Sequence, residues 1–197
     1  MYENKIITEP KWKSWIIQTT TPLFTPDQCN QIIASGRAQK PQEAQVGMNK
    51  PGGGTDTKKR VTTISWIPFQ EMGHMYKDLN SFIQKANENH FGFGDIRVTE
   101  NAQFTEYPEG GFYDWHMDCD VNMEHEPPVR KISMTVLLND PSEFEGGHLE
   151  LMAPGKFAEL KQGHAICFAS FLNHRVNPVT RGMRQSLVVW FGGKAFR

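Results

Sequence analysis

The sequence predicts an α+β, mainly β fold: a double-stranded β-helix (jelly-roll) barrel buttressed by N-terminal helices. Three observations predict it. From Asn101 onward the hydrophobic period is two, and the segments AQFTEY, FYDWHMDCD, KISMTVLLND, GGHLELMA, HAICFAS, HRVNPV and RQSLVVWFGG follow one another. Turn signals stand between them at Pro108-Glu109-Gly110-Gly111, Pro127-Pro128, Asp140-Pro141, Gly146-Gly147, Pro154-Gly155 and Arg181-Gly182. Many short strands with regular turns make a sandwich or barrel. Before residue 101 the strong periodicity is helical instead, and helices followed by strands indicate segregated layers.

The elements can be justified in order. Thr25-Pro26-Asp27-Gln28 reads as a helix start, with Thr25 as cap, Pro26 in the first turn and Gln28 completing a capping box. Cys29, Ile32 and Ile33 supply its apolar stripe, and Gly36 is the expected stop. Lys40 to Lys59 has no periodicity and contains Pro41, Pro51, Gly52, Gly53 and Gly54, which describes a long loop, either a lid or a connector. Arg60 to Ile67 (RVTTISWI) reads as one strand. From Phe69 to Asn87 a second helix carries Met72, Met75, Tyr76, Leu79, Phe82, Ile83 and Ala86 on one face, a core stripe expected to lie against the sheet.

Composition bounds the function. The 197 residues, 38% hydrophobic and 22% charged with mean hydropathy −0.53, suit one domain over 1–197, with 1–100 giving helical support and first strands and 101–197 the barrel. A net charge of −1 encodes no bulk attraction to nucleic acid or a membrane surface. No apolar run approaches the ~20 residues that span a bilayer. Met1 to Phe24 mixes charges with Trp12 and Trp15 and has no apolar signal core, so a cytoplasmic protein is expected. Cys29, Cys119 and Cys167 are odd in number without short spacings, which implies reduced thiols rather than a disulfide frame or zinc ribbon.

The candidate chemistry lies in the barrel. Strand alternation sends His116 and Asp118 to one side, about 7 Å apart, and Tyr113, Trp115 and Met117 to the other. His174 must arrive from a later strand. Two imidazoles and a carboxylate can hold one face of an octahedral iron(II) and leave three positions open. Asp114 and Asp120 share the His116 face, Asp120 being the rival carboxylate. His174 is expected to be accessible and to carry little packing. His125, His148 and His164 fall in loops or at strand starts and read as solvated or surface residues, and His74 and His90 belong to the helical region. Arg184, Ser186, Val188 and Trp190 share one face of the last strand. A guanidinium facing a barrel interior needs an anion, with Ser186 and Tyr107 as further donors. An internal Asp or Glu is the competing partner. Arg181, beside Gly182 in a turn, is expected to face solvent.

Three stretches carry a family resemblance: Gln103 through Tyr107 to His116-Met117-Asp118, then Glu145-Gly-Gly-His-Leu-Glu-Leu151, then His174-Arg-Val-Asn-Pro-Val-Thr-Arg-Gly-Met-Arg184-Gln-Ser186. Over Arg60 to Phe191 the chain resembles the iron(II) and 2-oxoglutarate-dependent dioxygenases, in particular the prolyl 4-hydroxylase-like branch. The resemblance implies His116, Asp118 and His174 as Fe(II) ligands, and Arg184 as partner of the distal 2-oxoglutarate carboxylate with Tyr107 assisting. It implies O2 as co-substrate, ascorbate as an auxiliary reductant, and succinate and CO2 as products. Collagen-type members carry lysine where Arg184 stands. The chain stops at Arg197, directly after the last strand, without the C-terminal extension of some bacterial relatives. A prolyl residue in a peptide or protein is the implied substrate, lying between the Lys40–Lys59 loop and the Asp120–Arg130 segment, in a monomer or homodimer. The alternatives are a free amino acid or another side chain, or a non-catalytic jelly-roll binding module. An alkylated base would need a basic, aromatic groove, and Lys50, Lys58, Lys59 and Arg60 make only a short cluster.

Overall fold

The structure is a computed structural model and describes residues 14–43, 59–119, 128–151 and 160–194. In chain order its elements are β1 (Ile16–Gln18), α1 (Pro26–Ala38), β2 (Gln42–Glu43), β3 (Arg60–Val61), β4 (Thr63–Ile67), α2 (Gly73–Ala86), β5 (Arg97–Val98), β6 (Ala102–Tyr107), β7 (Phe112–His116), β8 (Val129–Leu137), β9 (Phe144–Gly146), β10 (Leu149–Leu151), β11 (Ala165–Ala169), β12 (His174–Val176), β13 (Val179–Gly182) and β14 (Arg184–Gly193). The major sheet runs β1-β11-β8-β14-β6-β4-β2, with β5 also on β14, the minor sheet runs β10-β12-β7-β3, and β13 pairs with β9. All pairings are antiparallel. This is the jelly-roll that the alternating segments predict.

Helix α1 begins as its sequence dictates. The Thr25 hydroxyl accepts the Gln28 N–H at 3.3 Å, and the Gln28 side chain accepts the Thr25 N–H at 2.8 Å. Gly36 is not the stop. It lies inside the helix against β6, where a Cβ would come within 2.3 Å of the Phe104 ring, so the glycine sets the closeness of helix and sheet. Helix α2 starts at Gly73 rather than Phe69, after a turn in which the Glu71 N–H donates to the Pro68 carbonyl at 3.1 Å. The predicted stripe is otherwise buried: Met72, Met75, Tyr76, Leu79, Ile83 and Ala86, with Phe82 packed at its edge. A π-helical turn, Asn87–Phe91, closes it at Gly92 (φ 73°).

Strands β8 and β14 bury both faces. Ile132, Met134 and Val136, with Leu187, Val189 and Phe191, join the two helices in one core. Each such side chain withdrawn from water contributes roughly 1.5–3 kcal/mol. Period two then sends Lys131, Ser133 and Thr135, and Arg184, Ser186, Val188 and Trp190, into the space between the sheets. Those positions are buried too, except the half-buried Val188, although they are mostly polar.

Two predicted strands divide. RVTTISWI breaks at Thr62, whose hydroxyl donates to the Glu106 carbonyl at 2.8 Å, so β3 enters the minor sheet and β4 the major one. HRVNPV breaks at Asn177-Pro178 into β12 and β13, which lie in different sheets. None of the three cysteines forms a disulfide, and all three are buried. No helix among the described residues is long and apolar enough to cross a membrane. Residues 44–58 of the Lys40–Lys59 loop, Asp120 to Pro127 with His125, the Pro154-Gly155 turn, and Trp12 lie outside the described residues.

Candidate metal centre

The His116, Asp118 and His174 donor atoms all lie within 4.8 Å of one another, close enough to hold one metal ion. His116 ends β7 and faces His174, the first residue of β12, in register across the minor sheet. Asp118 lies just past β7, where its own N–H and that of Cys119 both donate to the Ser170 carbonyl at 3.0 Å. His116 Nε2 is 3.7 Å from Asp118 Oδ1, and His174 Nε2 is 3.5 Å from Asp118 Oδ2.

The remaining ring nitrogens fix the tautomers. His116 Nδ1 lies 2.7 Å from the Asp114 carbonyl and His174 Nδ1 3.0 Å from the Leu172 carbonyl. A carbonyl only accepts, so each Nδ1 carries the proton and each Nε2 turns its lone pair toward Asp118. The Ser133 hydroxyl donates to Asp118 Oδ2 at 2.6 Å and sits 3.0 Å from the Ser170 hydroxyl. Burial, with His174 nearby, pulls the His116 imidazole down to about 4, so it is neutral at pH 7. Burial alone would raise Asp118. The His174 and His116 imidazoles and the Ser133 hydroxyl outweigh it and hold the carboxyl below its usual range. A neutral imidazole, an ionised carboxylate and nitrogen donors free at Nε2 are what a borderline divalent cation requires.

Two sequence expectations fail here. Tyr113 does not face away from His116. The pairing shifts from Val176↔Tyr113 to His174↔His116, two residues on β12 against three on β7. This bulge inserts one residue and brings Tyr113 to the His116 side. The two rings stack with centroids 3.5 Å apart at 17°. Asp114, displaced by the bulge, is exposed and offers only its carbonyl. His174 is not accessible: it is 5% exposed, with its ring edge-on to Phe168 at 4.6 Å. The other described histidines stay away from the group. His148 and His74 are exposed, and His164 contacts the Thr19 carbonyl at 3.1 Å.

Arg184, Ser186 and Tyr107 come together deeper between the sheets. Arg184 pairs in register with Tyr107 across β14 and β6, and its guanidinium lies 5.5 Å from the Tyr107 ring centre. Its Nη1 donates to the Ser186 hydroxyl at 3.0 Å. Arg184 is 3% exposed, and among the described residues no carboxylate pairs with it. Burial lowers its affinity for the proton, with Tyr107 opposing, yet a guanidinium stays charged in a protein. Thr105, opposite Ser186 on β6, buries a hydroxyl that has no partner. A lone buried cation beside an unsatisfied hydroxyl fits a carboxylate ligand. Arg181, by contrast, lies in β13 rather than in a turn, but is exposed as expected and ion-paired with Glu145 at 2.9 Å.

Gly147 makes room for Arg184. A Cβ there would meet Arg184 Cδ at 2.8 Å and Val179 Cγ2 at 3.0 Å, and its φ of +64° is left-handed. The sequence reading missed this role, and also Ser133. The available signal for Ser133 was the polar alternation Lys131, Ser133, Thr135 in a strand whose intervening residues are all apolar.

The 2OG-Fe(II) oxygenase superfamily matches residues 102–192, a span that contains every residue of this site. A PKHD-type hydroxylase of Xylella fastidiosa (strain M12) is 38% identical over 99 residues, covering 45% of this chain and 42% of that protein. One from Acidovorax ebreus is 33% identical over 99 residues, covering 48% and 44%. The match thus spans less than half the length of these curated relatives. Among solved structures, a Pseudomonas putida prolyl-4-hydroxylase overlays with TM-score 0.69 at 21% identity, covering 92% of this chain and 94% of that one. A viral collagen prolyl hydroxylase from Paramecium Bursaria Chlorella virus-1, solved as a 2OG complex, overlays with TM-score 0.70 at 16% identity, covering 91% and 97%. At such identities the likeness is one of fold. Residues 102–192 thus resemble the 2OG-Fe(II) oxygenase superfamily, and the chain shares the fold of the prolyl 4-hydroxylases.

Proposed function

We propose that the protein is an Fe(II)/2-oxoglutarate-dependent dioxygenase that hydroxylates an unactivated C–H bond, with a prolyl residue of a peptide or protein as substrate. The observation that carries this reading is the pairing of two features between the sheets: a His-Asp-His donor set and a buried guanidinium without a described acidic partner. His116, Asp118 and His174 would hold Fe(II). When bound, the metal and 2-oxoglutarate would supply the oxidation, consuming O2 and yielding succinate, CO2 and the hydroxylated product.

The chain's own residues bind, orient and exclude water. The Asp114 and Leu172 carbonyls fix which imidazole nitrogen faces the metal. Ser133 holds the Asp118 carboxylate in one orientation. Arg184 would receive the distal carboxylate of 2-oxoglutarate through its planar fork, with Ser186 and Tyr107 beside it. Phe168, Leu151 and Ile166 keep the floor near His174 apolar. No general base or nucleophile is required of the chain. Among the structural relatives, a Trichoplax adhaerens prolyl hydroxylase was solved with a hypoxia-inducible-factor peptide fragment, at TM-score 0.66 and 19% identity, which supports a peptide as the substrate class. The test is succinate release with mass spectrometry of proline-containing peptides. A +16 shift on proline is expected. Turnover of free amino acids with none of any peptide would overturn the prolyl reading.

A further inference from the structure

We propose that Arg60 is a second carboxylate-binding cation of this cavity, and that it takes a carboxylate carried by the primary substrate. The inference rests on the oxygenase reading above for what the cavity does, and on independent geometry for Arg60.

Arg60 begins β3 at the edge of the minor sheet and pairs in register with Tyr113. Its guanidinium carbon lies 4.3 Å above the Tyr113 ring, which stacks on His116 at 3.5 Å. A continuous stack of guanidinium, phenol and imidazole therefore leads from Arg60 to the metal site. The other contact fixes its direction: one Nη donates to Gln103 Oε1 at 3.1 Å, across the gap on β6 of the major sheet. Arg60 thus spans the space between the sheets instead of reaching into solvent. Its Nε–H is buried and has no acceptor.

The neighbouring cations are accounted for and Arg60 is not. Arg130 makes a bidentate pair with Glu100 at 2.7 and 2.6 Å and lies 3.8 Å from the Trp190 ring centre. Arg184 serves the distal end of the co-substrate in the reading above. Arg60 gives one donor to a neutral amide and lies over a ring face, and among the described residues no carboxylate approaches it. A half-buried guanidinium with a desolvated, unsatisfied N–H recovers its cost when an anion closes the fork. The Nε edge is the side that bidentate carboxylate pairing uses. A primary-substrate carboxylate could come from an acidic side chain next to the reacting residue, or from the α-carboxylate of a free amino acid or peptide terminus.

The experiment is anaerobic calorimetry on the full chain loaded with Mn(II), with and without 2-oxoglutarate. The probes are N-acetylated, C-amidated proline pentapeptides carrying Glu or Gln beside proline, and L-proline against L-prolinamide. Wild type is expected to bind carboxylate probes about tenfold more tightly than their amide isosteres, the effect of one charge-assisted pair. The peptide arm identifies a side-chain source and the proline arm an α-carboxylate. In Arg60→Gln that preference should fall to about unity while 2-oxoglutarate affinity changes less than about twofold. Arg60→Lys should keep part of the preference, since it retains charge without the fork. Absence of any carboxylate preference in wild type, its survival in Arg60→Gln, or a loss of 2-oxoglutarate affinity in Arg60→Gln like that in Arg184→Gln would each overturn the proposal. Wild type that binds no 2-oxoglutarate refutes the oxygenase reading separately, because the carboxylate comparison is also run without it.

Discussion

Replacing Ser133 with alanine removes one hydroxyl from the interior of β8 and tests how the chain supports its metal donors. The Ser133 hydroxyl donates at 2.6 Å to Asp118 Oδ2, on a side chain only 8% exposed. A hydrogen bond to a buried charged acceptor contributes about 1.5–3 kcal/mol. Two consequences follow for Asp118. It loses one of the groups that hold its proton affinity below the ordinary carboxylate range, and its carboxylate is no longer pinned between the two imidazoles. The Ser170 hydroxyl, 3.0 Å from Ser133, also loses a partner. The energy converts to about a ten- to hundredfold loss of metal affinity, the range expected when a group orienting a metal ligand is removed. Mn(II) titration of Ser133→Ala, followed by electron paramagnetic resonance of the free ion, reads this directly. The midpoint of Mn(II) binding against pH should also move upward, because the carboxylate then competes less well for the metal as acid is added. A variant whose Mn(II) affinity stays within about twofold of wild type would refute the argument.

Other predictions come from the same geometry. Gly147→Ala places a Cβ 2.8 Å from Arg184 Cδ at a left-handed φ of +64°, so it should cost about 1–3 kcal/mol in a urea melt and weaken 2-oxoglutarate binding without affecting Mn(II). His174→Ala should abolish Mn(II) binding and also destabilise the metal-free protein by about 1–3 kcal/mol, because the ring is 5% exposed and packed on Phe168. An unchanged melt would favour an accessible, unpacked histidine. The metal-free protein should lose stability as pH falls from about 6.5 to about 4: His116 stays neutral in the fold down to about 4, whereas the unfolded chain takes up its proton near 6.5. The full shift corresponds to roughly 3 kcal/mol, and thermal melts at pH 7 and 5 should differ less in His116→Asn than in wild type.

The sequence made the strands legible because period two is written in side-chain chemistry. Along β14 period two sends Arg184, Ser186, Val188 and Trp190 to one face and Leu187, Val189 and Phe191 to the other, and all but the half-buried Val188 are buried. The start of α1 was legible because Thr25 and Gln28 carry their capping bonds in their own side chains. What escaped was geometry without a residue signature. The bulge in β7 turns Tyr113 onto His116, yet nothing in Phe112-Tyr-Asp-Trp-His116 marks an extra residue, since it is set by the pairing with β12. Thr62 and Asn177-Pro178 move the chain from one sheet to another inside runs that read as single strands. Gly36 has the composition of a helix stop but is required by the Phe104 ring across the interface, a contact between residues far apart in the chain. For the site, chain order and alternation suffice to group His116 and Asp118 with His174, and Arg184 with Ser186 and Tyr107. The partners that orient them are two backbone carbonyls and one serine hydroxyl, and only the serine leaves a trace in the sequence.

The central claim is that one cavity holds a metal by His116, Asp118 and His174 and a 2-oxoglutarate carboxylate by Arg184. Calorimetric titration of 2-oxoglutarate into anaerobic, Mn(II)-loaded protein tests it most directly. The account predicts metal-dependent binding in wild type, weakened about ten- to hundredfold in Arg184→Lys, where charge remains but the fork is lost, and undetectable in Arg184→Ala. Binding of equal strength in wild type and Arg184→Ala, or binding that ignores the metal, would contradict it.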